Sequence, residues 1–389
     1  MNETIGSRFD SRQGFTGFDY LRIGLSAAIC LWHSWWVFTG KLAWDLPLWR
    51  GWLGFVPQSF VPMFFALSGF LVAGSLERNR LHHFLALRVL RIIPALAFEI
   101  IVSACVIGAL FTSLPLAKYF SSGEFWAYFL NVVGIIHVTL PGVFPGNPVH
   151  ELSNPQLWTI PFELECYAVL SILSLLGLVW KKNYLLLVTL GLIVARTIYI
   201  GFIKHGGAAD SMDAGHFTGR ILVLMFLVGV LVYRHRARIP YSDLLGCASL
   251  LAIAVLFRYP ALTWLAALPT GYFVAWFGLK RPPAIPFGDL SYGVYLFHFP
   301  ISQMLMALVG GLVGPWWLFG LISLVGSAAC AAVSWQFIEK PLLASKRPLL
   351  GHMDDIWARI RSRATRQRRA LAESAFEASV PPVGADERG

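Results

Sequence analysis

The sequence predicts an all-α integral membrane protein, about ten transmembrane helices around an intramembrane polar pore, and three observations predict it. Only 13% of the 389 residues are charged and 57% are hydrophobic, with a mean hydropathy of +0.63, whereas a soluble chain carries about 25% charged residues. The apolar residues gather into runs near the ~20 residues that a bilayer requires. The basic residues sit in short clusters between those runs, which is the positive-inside pattern. The net charge of +10 therefore belongs to membrane orientation, and nucleic acid is excluded as a partner.

The expected spans are 18–38, 57–76, 88–111, 157–180, 184–203, 219–234, 242–258, 261–279, 288–308 and 316–338. Residues 1–17 are polar, carry Arg8 and Arg12, and show no cleavable signal peptide, so the N-terminus is expected in the cytoplasm. An eleventh apolar stretch, 125–140, is excluded by charge. If it crossed, the later basic clusters (Lys181/Lys182, Arg234/Arg236/Arg238, Lys280/Arg281) would lie outside with the tail. It is expected instead as a re-entrant or interfacial segment within a long outer loop, 112–156, which carries His137, His150 and Glu151 and is a candidate lid. Residues 18–340 form the membrane domain. The tail 341–389 is basic to Arg369 and reads as a largely disordered cytoplasmic segment, with Ile356, Trp357 and Ile360 able to line one side of a short amphipathic helix on anionic lipid. Cys30, Cys105, Cys166, Cys247 and Cys330 are scattered singly in apolar segments without metal-ligand spacing, and read as small core hydrophobes.

Polar residues inside the spans carry the chemical information, because charge at membrane depth is costly. In FDYLRIGLSAAICLWH, Arg22 and His33 are eleven residues apart, about three turns and roughly 16 Å on one helix face. The bland alternative is a snorkelling arginine and a hydrogen-bonded interior histidine. Arg88 and Arg91 in RVLRIIP are i and i+3 on one face, suited to phosphate or to simple anchoring. Glu163 and Tyr167 in NPQLWTIPFELECY are i and i+4, with Glu165 on another face. Counting rise along each helix puts His33 and Glu163 at similar depth, about 8–9 Å from the outer border. Asp19, Ser291, Tyr295 and His298 are secondary candidates, the last three from SYGVYLFHFP, where packing is an equal explanation. The run LSGFLVAG, with Ser68, Gly69 and Gly74, is read as a site of close helix packing.

The order of these segments resembles the membrane acyltransferase-3 family of bacterial enzymes that acylate surface glycans. FDYLRIGLSAAICLWH is similar to the family's arginine, ten residues, histidine motif, FFALSGFL to its second-span pattern, and RVLRIIP to its arginine-x-x-arginine motif. LWTIPFELECY resembles its tryptophan, glutamate and tyrosine signature, SYGVYLFHFP its SY-x-x-YL-W-H segment, and WQFIEKP its final FIEKP. Leu164 stands where a second glutamate is usual and Phe297 where tryptophan is common. Nothing after residue 345 resembles the fused extracytoplasmic domain of some members, so a standalone member is expected.

The resemblance implies an acyl-CoA-dependent O-acyltransferase in the bacterial cytoplasmic membrane, with both termini inside. It would move an acyl group, most often acetyl, to a hydroxyl of an extracytoplasmic polysaccharide or glycolipid. Arg22, Arg88 and Arg91 would hold the phosphates of the donor, and His33 would act as general base or acyl carrier. Glu163, with Tyr167, would fix the tautomer of His33. Besides lipids, the implied partners are acyl-CoA and the glycan, and no metal is required. The alternative class is a proton-coupled transporter or flippase of lipid-linked sugars, against which stands the lack of evident similarity between the two halves.

Overall fold

Each of the ten expected spans contains a helix in the computed structural model, which describes residues 3–359 except 12–14, 43–44, 46–48, 50, 199–218, 260–261, 287, 313 and 357, together with 362 and 367. In chain order these are α1 (Gly17–Thr39), α2 (Phe55–Arg78), α3 (Leu81–Ile101), α4 (Ile160–Leu175), α5 (Lys182–Ile198), α6 (Arg220–Arg234), α7 (Asp243–Leu256), α8 (Ala267–Gly278), α9 (Ser291–Val309) and α10 (Trp316–Ser334). No β-strand occurs among the described residues, only isolated bridges. Among the described residues five helices are long and apolar enough to cross a membrane: Trp52–Arg78, Leu81–Phe111, Pro155–Leu175, Ser291–Val309 and Trp316–Ala344. The helix α1 has the length, 23 residues, but carries Asp19 and Arg22. The helices α5 to α8 have 12 to 17 residues, about 18–25 Å of rise against a hydrocarbon core of ~30 Å.

Local chemistry sets the ends. Gly40, at φ 68°, closes α1 with its N–H on the Trp36 carbonyl, a left-handed position glycine takes without a Cβ penalty. The helix α4 stops at Leu175, short of the expected residue 180, because the chain turns through Gly177 at φ 72°. Residues 199–203 of the fifth span lie outside the described residues, as do Arg12, Arg50, Lys204, Trp357 and Ile360.

The helix α9 packs against α1, α10 and α3, α1 against α10, α2 and α8, and α2 against α6. The small-residue run in α2 does what its composition implies. A Cβ on Gly69 would lie 2.0 Å from the Phe226 carbonyl oxygen, and one on Gly229 would lie 2.0 Å from that of Ala66. The two backbones touch, so dispersion contacts replace side-chain bulk.

Beyond α3 a π-helical turn, Val102–Gly108, leads to Phe111 and the loop 112–156. Tyr119 of that loop donates its hydroxyl to the Ala104 carbonyl at 2.7 Å, and Gly108 leaves room for it. Burial, followed by Cys105, pushes the Tyr119 phenol above its ordinary range, so it remains a donor. Residues 125–140 are not one span-length helix: a short helix to Tyr128 and a 3-10 turn, Phe129–Val133, give way to Gly134 at φ 83°. Asn131 then stitches the returning chain, donating to the Tyr128 and His137 carbonyls and accepting from the His137 N–H. Of the cysteines, all free, Cys30 and Cys166 are buried as a core reading requires, whereas Cys105 and Cys247 face outward from their helices.

Residues 1–340 form one compact unit and 341–389 a second. In the second, residues 346–356 are helical.

Candidate active site

Five helices that carry motif residues, α1, α2, α3, α4 and α9, line one cavity of about 160 Å³. Arg22 enters from α1, Arg88 and Arg91 from α3, Glu163 and Tyr167 from α4, and Ser291 and Tyr295 from α9. The three arginines, which the sequence places on two separate spans, are thus brought together. They are not equivalent. Asp289 Oδ2 forms an ion pair with Arg22 Nη1, at 2.9 Å, and accepts from Arg91 Nη2 with the same oxygen. Its other oxygen takes the Ser291 hydroxyl at 2.5 Å. Arg22 also pairs with Asp19 at 2.5 Å, and Arg91 approaches Glu339 at 3.6 Å. Arg88 has no ion pair among the described residues; its Nε is buried without a hydrogen-bond partner, and its guanidinium lies 5.9 Å from the Phe84 ring. A planar fork with unspent donors facing a cavity is the arrangement that binds an anion.

Asp289 and Glu339 were not among the residues that sequence reasoning selected. The signal was adjacency: Asp289 stands two residues before the SYGVY segment, and Glu339 is the acid of the FIEKP segment. Asp19, a secondary candidate, is placed as the partner of Arg22.

Glu163 receives the Tyr167 hydroxyl at 2.7 Å, as their i, i+4 spacing implies, and faces the cavity it shares with Arg88 and Arg91. The expectation that Glu163 fixes His33 is corrected here. The ring partner of His33 is His298, with Nδ1 to Nε2 at 2.8 Å, and neither histidine lines the cavity. Depth along a helix gives height and not direction: α1 packs on α9 while α4 packs on α6. Glu165 is exposed on α4. His298, which sequence reasoning ranked below His33, is fully buried. Its Nδ1 meets the Tyr295 carbonyl at 2.7 Å. The His33 and His298 rings have centroids 5.1 Å apart and planes 9° apart. With nitrogens only 2.8 Å apart, those values describe two rings edge to edge in one plane. Trp32 lies nearly parallel to His33 at 5.2 Å, and Trp36 and Phe299 meet it edge-on at 6.1 and 5.9 Å.

The position of Tyr295 is itself explained by a proline. Pro300, inside α9, has no N–H for the carbonyl four residues earlier, that of Leu296. The segment entering α4 fills the gap: Gln156 Nε2 donates to the Leu296 carbonyl at 2.8 Å and Asn154 Nδ2 at 3.3 Å. The Tyr295 hydroxyl in turn meets Thr159 Oγ1 at 2.8 Å and the Gln156 carbonyl at 3.1 Å. Asn154 is held from the other side by Glu99, which accepts its amide at 2.6 Å and the Ser103 hydroxyl at 2.6 Å. Glu99, fully buried in α3, is a third residue missed from the sequence, where a lone acid in an apolar run was visible but matched no pattern.

An all-helical bundle with membrane-length apolar helices, a cavity lined by arginines and a histidine pair define, among the described residues, a helical membrane protein with polar groups gathered inside it. The family model of the acyltransferase-3 acyltransferase domain matches residues 15–335, and the chain belongs to that family. It is 29% identical over 370 residues to nodulation protein 10 of Rhizobium leguminosarum bv. viciae, covering 86% of this chain and 94% of that one. It is 23% identical over 306 residues to an O-acetyl transferase of Shigella phage Sf6, covering 75% and 86%. No solved structure matches the chain. The protein is a multi-pass membrane acyltransferase.

Proposed function

We propose that the protein transfers an acyl group, most simply acetyl, from acyl-CoA to a hydroxyl of an extracytoplasmic polysaccharide or glycolipid, from a bacterial cytoplasmic membrane. The observation that carries this reading is the convergence of Arg22, Arg88 and Arg91 on one cavity, with His33 about three turns along the helix that bears Arg22. That distance is of the order of a pantetheine arm. The name of the phage relative, an O-acetyl transferase, points the same way. In this reading the phosphates of the donor lie against Arg88, with Arg22 and Arg91, and the thioester reaches His33. The imidazole takes the acceptor proton or the acyl group, since a neutral ring offers one bare nitrogen that can accept either. Ten crossings with both termini inside and the 112–156 loop outside follow from the Lys/Arg distribution.

The test compares the acyl content of surface glycans, by mass, in cells with and without the gene. Loss of a defined acyl increment, restored by the wild-type gene and not by His33→Ala, is the expected result. An unchanged acyl content would overturn the reading. A cysteine placed at residue 146, which is exposed in the loop, tests the orientation: an impermeant thiol reagent should label it without permeabilisation.

A further inference from the structure

We infer that His298 is the positioning residue that sets the tautomer of His33, leaving Nε2 of His33 as its reacting atom. The inference rests on the reading of His33 as the catalytic group, and it proceeds from a fixed acceptor. The Tyr295 carbonyl can only accept, so the His298 Nδ1 that meets it at 2.7 Å carries the hydrogen. A neutral imidazole has one donor and one acceptor, which leaves His298 Nε2 bare. That bare nitrogen faces His33 Nδ1 at 2.8 Å. Two bare nitrogens would repel at this distance, so His33 Nδ1 carries a hydrogen and donates it. His33 Nε2 is then the bare nitrogen, turned away from His298.

The geometry is suited to the task. The rings share a plane, so the donated hydrogen points along the in-plane lone pair of the acceptor. Trp32 against the face of His33 and Phe299 against its edge resist rotation of the ring. The anchor of the chain, the Tyr295 carbonyl, belongs to the turn of α9 that Gln156 and Asn154 hold from outside. His298 thus occupies the place that an aspartate takes behind the histidine of a serine hydrolase, with a neutral acceptor in a buried setting.

The step that follows balances. Nε2 of His33 takes the proton of the acceptor hydroxyl, the oxygen forms its bond to the thioester carbon, and the C–S bond breaks. The departing thiolate then takes the proton from Nε2, which restores the starting tautomer. During the interval when His33 carries both protons, the bond from Nδ1 to His298 becomes charge-assisted and strengthens.

The test uses the full chain in lipid nanodiscs, with the histidine nitrogens labelled with 15N. Long-range proton–nitrogen correlation, with His33 assigned by comparison with His33→Gln, should show a bare Nε2 and a protonated Nδ1. A protonated Nε2 in the wild type would overturn the inference, whatever the activity. Turnover is read as thiol release from acetyl-CoA with de-O-acylated surface polysaccharide of the host as acceptor. His298→Phe should lower kcat about 100-fold and leave KM for acetyl-CoA within about twofold, the scale on which a general base contributes. His298→Gln offers an amide oxygen to His33 and an amide N–H to Tyr295, and should recover about tenfold or more. Equal rates for the Phe and Gln variants, or near wild-type turnover by His298→Phe, would overturn it and leave His298 as packing. Turnover by His33→Ala would instead remove the underlying assignment, and the nitrogen shifts would still decide the tautomer.

Discussion

The two ends of the candidate site solve opposite electrostatic problems. At the arginine end, permanent charges are held by carboxylates: Asp289 between Arg22 and Arg91, Glu339 beside Arg91, Asp19 beside Arg22. At the histidine end there is no ion pair, only two imidazoles joined to each other and to a backbone carbonyl, walled by Trp32, Trp36 and Phe299. The first arrangement can trade one anion for another, since a phosphate can enter where charge is already balanced. The second moves a proton without changing the number of charged partners around it. Under the proposed function the contrast assigns binding to one end and transfer to the other, and substitutions at the two ends should separate in the same way.

The sharpest break of that comparison is at His33. His33→Ala should reduce turnover by about 10³-fold or more while leaving acyl-CoA affinity within about twofold, measured by thiol release and by equilibrium binding. A matching loss of affinity would dissolve the division of labour. At the other end, Asp289→Asn leaves Arg22 and Arg91 without their shared counter-charge. Their side chains are 23% and 25% exposed, so the cost is placed below that of a fully buried pair, at about 2 kcal/mol. Thermal unfolding in detergent should show this loss, and added CoA should restore more stability to the variant than to the wild type. Arg88→Ala should weaken donor binding about tenfold with little change in unfolding temperature, and Arg88→Lys should recover only part, because lysine lacks the fork. Arg91→Ala, by contrast, should lose both affinity and stability, since Arg91 is also a structural partner of Asp289 and Glu339. The smallest effect is expected at Gln156→Leu, which takes one donor from the Leu296 carbonyl and leaves Asn154 there. It should cost about 1 kcal/mol in unfolding, with kcat falling more than KM if the turn bearing Tyr295 loosens.

The arginine end was legible in the sequence; at the histidine end both histidines were candidates but their pairing was not. Arg22, Arg88 and Arg91 each occupy a distinctive spacing, and the fold needs only to bring their two spans together for the arginines to share a cavity. The partner of His33 depended on which way each helix faces, and rise per residue carries no such information. That is why Glu163, at similar height, was taken as the partner of His33, where the structure places His298. Asp289 and Glu99 escaped for a different reason. A single acid gains meaning only from the cation or amide it meets, here 198 residues away at Arg91 and 55 residues away at Asn154. The ten helical segments were visible because long apolar runs have few other structures open to them. Ends such as that of α4 were overrun because Gly177, which turns the chain there, is one of 35 glycines and is unremarked by hydropathy.

The gap that Pro300 leaves in α9 also bears on how the molecule is made. A carbonyl without a partner costs several kcal/mol in lipid, so α9 is a poor element until something completes it. The amides that do so, on Asn154 and Gln156, are synthesised 142 and 140 residues before Leu296. The ribosome therefore delivers the missing rung first and the broken ladder afterwards. Nascent α9 enters a bilayer in which its complement already exists, and chains that fail to dock it retain an exposed polar defect by which membrane quality control can recognise them.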